Sequence, residues 1–171
     1  MPSGKMHDSI AFISIIPMFL LGGCVFNNNP QHIYVFTFAV TFSQLMFGPD
    51  LDVQSRQYKR WGLLRWIWLP YMKLFAHRSR FTHGIIFGPI FRFIYLLSIL
   101  ILLFISTVFV IGHLLGNNFF LSLLFSVNQV VRDADISSFT PFLLPFIFGI
   151  FLGAAIHTIT DKVFSFFKNL V

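Results

Sequence analysis

The sequence predicts an all-α fold: an integral-membrane bundle of about four hydrophobic helices, with a basic and aromatic helical segment lying in the membrane interface. Three observations predict it. The chain is 56% hydrophobic, with only 12 basic and 6 acidic residues in 171. Its mean hydropathy is +0.79, and long apolar runs with few charges read as membrane spans. Half of the charges and all three tryptophans fall within residues 50–83. A chain of this length is expected to form one unit, here a single membrane domain over 1–171.

The first hydrophobic segment is 9–25, short for a span and interrupted by Pro17. A membrane helix tolerates proline where neighbours satisfy the freed carbonyl. Within it, "LGGC" at 21–24 has the form of a lipoprotein cleavage box. His7 and Asp8 stand where a signal would carry plain positive charge, and the rest of the chain is itself membrane-like. The segment is therefore expected to be retained, with Cys24 a small apolar filler near a helix end. One cysteine also excludes an internal disulfide framework and a cysteine-rich zinc site.

"NNNPQH" at 27–32 is a turn. The second segment, 33–47, is stopped by Gly48 and Pro49. Over 53–80, arginines and lysines alternate with Trp61, Trp66, Trp68, Tyr58 and Tyr71. This predicts a helix or pair of helices with rings at headgroup depth and basic tips toward lipid phosphates. The third segment is 84–113, and its core, Phe93–Ile111, is long enough to cross. Residues 114–138 are expected to be a connection, because the apolar patch at 119–127 is too short to cross. The fourth segment is 139–160, with Pro141 near its start and helix running on to about Phe167.

Four alternating crossings would place the unusual polar residues together. His7 precedes the first segment, and Asp50 and Asp52 follow the second. His77 and His83 precede the third, and His157 and Asp161 follow the fourth. Ten basic residues (Lys5, Arg56, Lys59, Arg60, Arg65, Lys73, Arg78, Arg80, Lys162 and Lys168) fall on that same side and only Arg132 on the other. The positive-inside rule makes that side cytoplasmic. A fifth crossing at 119–127 would destroy the convergence. Arg92, inside or near the third segment, is expected to snorkel or to pair near the site.

Imidazoles and carboxylates are the usual ligands of zinc, manganese or iron. "HTITD" puts His157 and Asp161 four apart, on one helix face. "PDLD" puts Asp50 and Asp52 two apart, on one side of an extended segment. His77 and His83, six apart in "HRSRFTHG", would diverge on one helix. A break is expected between them, with Ser79 or Thr82 capping the third helix and His83 in its first turn. Singly these patterns are weak, and a polar network stapling helix ends is the bland alternative. Together they use four of six histidines and three of six acids, with no Asn, Gln or Glu among them. A carboxylate-rich metal site can polarise a phosphoryl oxygen and activate water. Arg78 lies between the two histidines, and Ser55, Arg56, Lys59 and Arg60 follow the acid pair. These suit phosphate, although anchoring to anionic lipid would explain them equally well.

The ordered set is a short N-terminal His, P-D-L-D followed by Ser, R-W, H-R…T-H-G, then G-x-x-x-H-x-x-x-D. It resembles the LexA-regulated inner-membrane metal-dependent hydrolases of bacteria. It is more similar still to a set of short metal-binding membrane proteins common in cyanobacteria. Both are thought distantly similar to zinc-dependent phospholipase C and P1-type nucleases. The likeness covers residues 1–84 and about 149–162. It implies a metal set of His7, Asp50, Asp52, His77, His83, His157 and Asp161, with zinc the first choice and manganese or iron as alternatives. It also implies a bacterial inner membrane, or a thylakoid membrane. Here "HRSRFTH" is one residue longer between its histidines than in the hydrolases, and "THG" replaces "THS".

The expectation is a metal-dependent hydrolase of phosphoesters, lipid ones included, with Asp52 and Arg78 as its catalytic residues and membrane lipids as its surroundings. The alternative is a non-catalytic metal-binding, sensing or structural membrane protein. Transport is disfavoured because the ionisable residues gather at one face and not at mid-membrane. Nucleic acid is disfavoured as a partner because 50–83 is so aromatic.

Overall fold

The computed structural model describes residues 3–168; residues 1–2 and 169–171, the ends of the expected single unit, lie outside them. Among the described residues the secondary structure is entirely helical. The elements are α1 (Gly4–Val25), α2 (Pro30–Leu45), α3 (Arg56–Arg60), α4 (Leu69–Leu74), α5 (Arg80–His83), α6 (Phe87–Leu115), α7 (Asn117–Asp133) and α8 (Thr140–Lys168). Short 3-10 turns at Pro49–Asp52, Gly62–Trp68 and Ile136–Ser138 join them.

Three helices, α1, α6 and α8, are long and apolar enough to cross a membrane. The expected fourth is shorter. Helix α2 has 16 residues, about 24 Å at ~1.5 Å per residue, against the ~30 Å of a bilayer's hydrocarbon. Its role is internal: it packs against α1 and α8, burying Ile33, Phe36, Ala39, Val40, Ser43 and Gln44. Close approach to α8 depends on two glycines. A Cβ on Gly149 would lie 2.6 Å from Ala39 Cβ, and one on Gly153 would lie 2.5 Å from the Val40 carbonyl oxygen. Ser43 Oγ donates to the Ile150 carbonyl across this seam at 2.8 Å.

Two further expectations are corrected. Residues 117–133 form a helix, not a connection. Its apolar residues Leu121, Leu124, Phe125 and Val131 recur at helical spacing, a period obscured when only the run 119–127 is weighed. The segment 53–80 is neither one helix nor a pair, but several short turns. Gly62 with φ +55 and an extended Phe75 interrupt it. Nor do its rings all lie at an interface. Trp68 and Tyr71 are fully buried and Tyr58 nearly so, packed with Phe47, Leu51, Tyr95 and Ile150 in an aromatic core. Leu63, Leu64, Trp66 and Leu74 are its exposed large apolar residues.

Replacing Gly153 with leucine is expected to cost about 1–3 kcal/mol through overpacking, read as a lower thermal midpoint in detergent. Ser98→Leu, on the exposed face of α6, should leave the midpoint unchanged. An unaltered midpoint for Gly153→Leu would contradict the close α2–α8 seam.

Candidate metal centre

The seven expected site residues come together where α1, α5, α8 and the Pro49–Asp52 turn meet. His7 lies in the first turn of α1, inside the helix and not ahead of it, because Ser3 caps the helix by accepting from the Met6 amide. Its ring stacks on His157 with centroids 3.9 Å apart and planes 8° from parallel. Its Nε2 lies 3.2 Å from Asp161 Oδ1. His157 and Asp161 share a face of α8, with Nε2 and Oδ2 3.7 Å apart.

Asp50 and Asp52 sit on a 3-10 turn and not an extended strand. An extended Gly48 leads into Pro49, which pre-sets the turn. The two carboxylates therefore address different neighbours, with His83 between them. Asp50 faces His83 Nε2 at 3.6 Å and His157 Nε2 at 3.5 Å. Asp52 faces His77 Nδ1 at 2.8 Å and His83 Nδ1 at 3.5 Å. The break expected between the histidines is present, but it isolates α5 as a single turn, so His83 ends α5 and does not begin α6. Gly84 adopts an extended conformation there. A Cβ on Gly88 would lie 2.7 Å from the Thr82 carbonyl oxygen, so the start of α6 folds tightly onto α5.

Each of three residues fixes one polar atom to the scaffold and turns the other inward. Asp161 Oδ1 faces His7. His83 Nδ1 lies 3.1 Å from Thr82 Oγ1, and His157 Nδ1 lies 3.3 Å from Gln57 Nε2. The other atoms, His83 Nε2, His157 Nε2 and Asp161 Oδ2, are buried and have no hydrogen-bond partner among the described residues. They face one another and Asp50 across 3.5 to 3.9 Å. That is too long for a good hydrogen bond. It is close to the edge of a ligand tetrahedron, roughly 3.3 Å for bonds of ~2.0–2.1 Å. Three overlapping triads, His7–His157–Asp161, Asp50–His83–Asp161 and Asp52–His77–His83, could each hold an ion. The donor atoms are imidazole nitrogens and carboxylate oxygens, which fit a divalent transition metal.

Burial alone would raise the Asp50 carboxyl, but His157 and His83 outweigh it and hold it well below 3.8. Asp52 is also lowered: burial opposes, and His83, His77 and Thr82 prevail. Burial pushes His83 down, while Asp50 and Asp52 raise it to about 9.

Arg78 has φ +62, a conformation uncommon outside glycine, and its amide donates to Asp52 Oδ2 at 3.3 Å. Its side chain lines a cleft of about 570 Å³ with Arg80, His83, Asp161, Lys162 and Phe166. A second cavity, of about 260 Å³, borders His7, Asp50 and His157. Arg56 and Arg60, expected near phosphate, are instead held by Asp8 Oδ2 at 2.6 and 2.8 Å.

Sequence reasoning missed several supports. Gln57 is buried and also donates to the Gln44 carbonyl at 2.7 Å. Of the two expectations for Arg92, snorkelling is not what is found; it is fully buried, lies 5.7 Å from the Phe47 ring and bonds beside the site by donating to the Thr82 carbonyl at 2.9 Å. Nothing in the spacing of Gln57 singles it out. Asp8 could have been found, since Arg56 and Arg60 are four apart and it is the one further acid on the basic side.

Fold and site define a class: an all-helical protein with three helices long and apolar enough to cross a membrane, and a His/Asp cluster able to hold a metal. The chain belongs to the family described as "Uncharacterized metal-binding protein (DUF2227)", which matches residues 2–171. This agrees with the metal-binding part of the resemblance drawn from the ordered motifs. No curated protein and no solved structure matches the chain.

The titrations set a pH dependence for metal-free protein. The raised His83 contributes stability that is complete below its ordinary 6.5 and is lost as pH rises through about 9. The depressed Asp50 contributes stability present above 3.8 and lost as pH falls further. Thermal midpoints of chelator-treated protein should therefore be highest between those limits and fall on the alkaline side. A midpoint that rises from pH 7 to 10 would contradict the arrangement.

Proposed function

We propose that this protein is a membrane-embedded, metal-dependent hydrolase of phosphoesters, lipid ones included, with its site at the cytoplasmic face of a bacterial inner or thylakoid membrane. The observation that carries the reading is the trio of buried, unpartnered atoms His83 Nε2, His157 Nε2 and Asp161 Oδ2, which face one another beside Asp50. Six other buried side-chain atoms among the described residues, Trp68 Nε1 and Arg92 Nε among them, also lack a partner; what sets this trio apart is that its nitrogens and oxygen converge on one place beside a carboxylate.

In this reading Asp50, His83, His157 and Asp161 hold the ion, and His7 Nε2 steadies the outer oxygen of Asp161 from α1. Zinc is the first choice for such nitrogen and oxygen donors, with manganese or iron as alternatives. When bound, the ion supplies Lewis-acid polarisation of a phosphoryl oxygen and activation of water near neutral pH. Asp52 acts differently from the sequence expectation. Its side chain is wholly shielded from solvent, so it is a positioning residue that orients His83 and His77 rather than one that touches substrate. His77 extends the site through Asp52. Arg78 offers its guanidinium to a phosphate oxygen, which its planar donors match. The cleft beside His83 and Asp161 favours a hydrolase over a closed structural or sensing site, which needs no open position. The motif order resembling LexA-regulated and cyanobacterial membrane proteins supports the same reading.

Elemental analysis of detergent-purified protein tests it. Wild type should carry stoichiometric metal; Asp50→Ala and His157→Ala should lose it. Gln57→Ala should bind roughly 10–100-fold more weakly, as loss of an outer-shell partner does. Metal-loaded wild type should then hydrolyse aryl phosphate mono- or diesters, and the two alanine variants should not. Stoichiometric metal without turnover of any phosphoester would favour the non-catalytic alternative; no metal after reconstitution would refute both.

A further inference from the structure

The cleft beside the cluster has a composition that the metal centre does not require. Arg78, Arg80 and Lys162 line it, with Asp161 the single acid in its wall. None of the three cations forms an ion pair among the described residues; of the two cations that line the smaller cavity, Arg56 is committed to Asp8 and Lys59 is not paired. Arg78 is held by a constrained backbone: a left-handed conformation away from glycine persists only where its surroundings impose it. The Asp52 carboxylate beneath its amide is one such constraint.

The apolar surroundings are equally specific. Gly84 is part of the wall, and the chain after it exposes Ile85, Ile86 and Phe87 in succession. On α8, Thr158, Lys162 and Ser165 face the cleft while Ile159, Val163 and Phe166 around them are exposed, Phe166 itself reaching the wall. The cleft thus lies between α5 with the residues just before it and the last turns of α8, which is long and apolar enough to cross a membrane. A water-soluble anion would gain nothing from this apolar rim. An amphiphile would bury its apolar portion there and set its charge among the cations, by the division of labour of interfacial sites.

We infer that this cleft binds the phosphate of a membrane lipid, with the phosphate among Arg78, Arg80 and Lys162 and the acyl portion leaving over Phe166 and the Ile85–Phe87 stretch. The inference rests on the reading that the chain lies in a bilayer with the His/Asp cluster at one face. It does not rest on turnover, and it holds for chelator-treated protein.

The test is native mass spectrometry of the full chain in detergent after chelation, titrated with phosphatidic acid, with diacylglycerol (the same tails without phosphate) and with glycerol phosphate (the headgroup without tails). One phosphatidic acid should be retained at least roughly tenfold more tightly than either of the others, the equivalent of about one charge-assisted hydrogen bond. Arg78→Gln combined with Lys162→Gln should remove that preference. The charge-preserving pair Arg78→Lys with Lys162→Arg should keep most of it, which separates lost recognition from lost folding. Lys59→Gln, beside the smaller cavity, should leave it intact. Equal retention of diacylglycerol would overturn the inference, as would an undiminished preference in the double glutamine variant. Glycerol phosphate binding as tightly as phosphatidic acid would assign the cleft to soluble phosphates and overturn the lipid assignment. Retention of phosphatidic acid by a protein that hydrolyses nothing would sink the hydrolase reading and leave this one standing.

Discussion

Three side chains with divided loyalties organise this molecule. His83, His157 and Asp161 each fix one polar atom to the scaffold and leave the other buried and facing its neighbours. Their separations from one another and from Asp50, 3.5 to 3.9 Å, are too long for good hydrogen bonds. An ion bound across the atoms would satisfy all of them at once. Much of the rest of the fold maintains the arrangement. Ser3 starts α1 early enough to stack His7 on His157, Gly48 and Pro49 shape the turn of Asp50 and Asp52, and Thr82 fixes the His83 ring. Buried Arg92 ties α5, and so His83, to the root of α6.

Helix α2 explains how a small bundle holds these groups in register. It is too short to match its neighbours, yet it forms the interior against which α1 and α8 pack. Gly149 and Gly153 let α8 approach its backbone, and the next two turns of α8 carry His157 and Asp161. Gln44, at the end of α2, receives Gln57 on its carbonyl, and Gln57 in turn touches His157. The seam and the site are therefore one mechanical unit: a shift of α8 along α2 would move two of the three inward-facing atoms.

How much of this was legible in the sequence follows from the range of the interactions. The apolar runs that became α1, α6 and α8 are local properties, and so they were readable. The four histidines and three aspartates stood out because polar residues are scarce in such a chain, and the assumption of alternating crossings predicted that they would meet. The residues do meet, although α2 is not of spanning length. What failed was tertiary. Trp68 and Tyr71 have the composition of interfacial aromatics, and only the packing of Phe47 and Tyr95 against them makes them core. The helix at 117–133 was hidden because its apolar residues are spaced and not consecutive. Gln57 and Arg92 act through contacts with residues far along the chain or in an adjacent element, for which spacing gives no signal.

The central claim is that the inward-facing atoms bind one ion together. X-ray absorption at the edge of the metal bound by purified protein tests this most directly. For zinc, the account predicts a first shell of nitrogen and oxygen only, at about 2.0–2.1 Å, with the outer-shell scattering of at least two imidazoles. A shell of oxygens without imidazole scattering, or one containing sulfur from exposed Cys24, would contradict it.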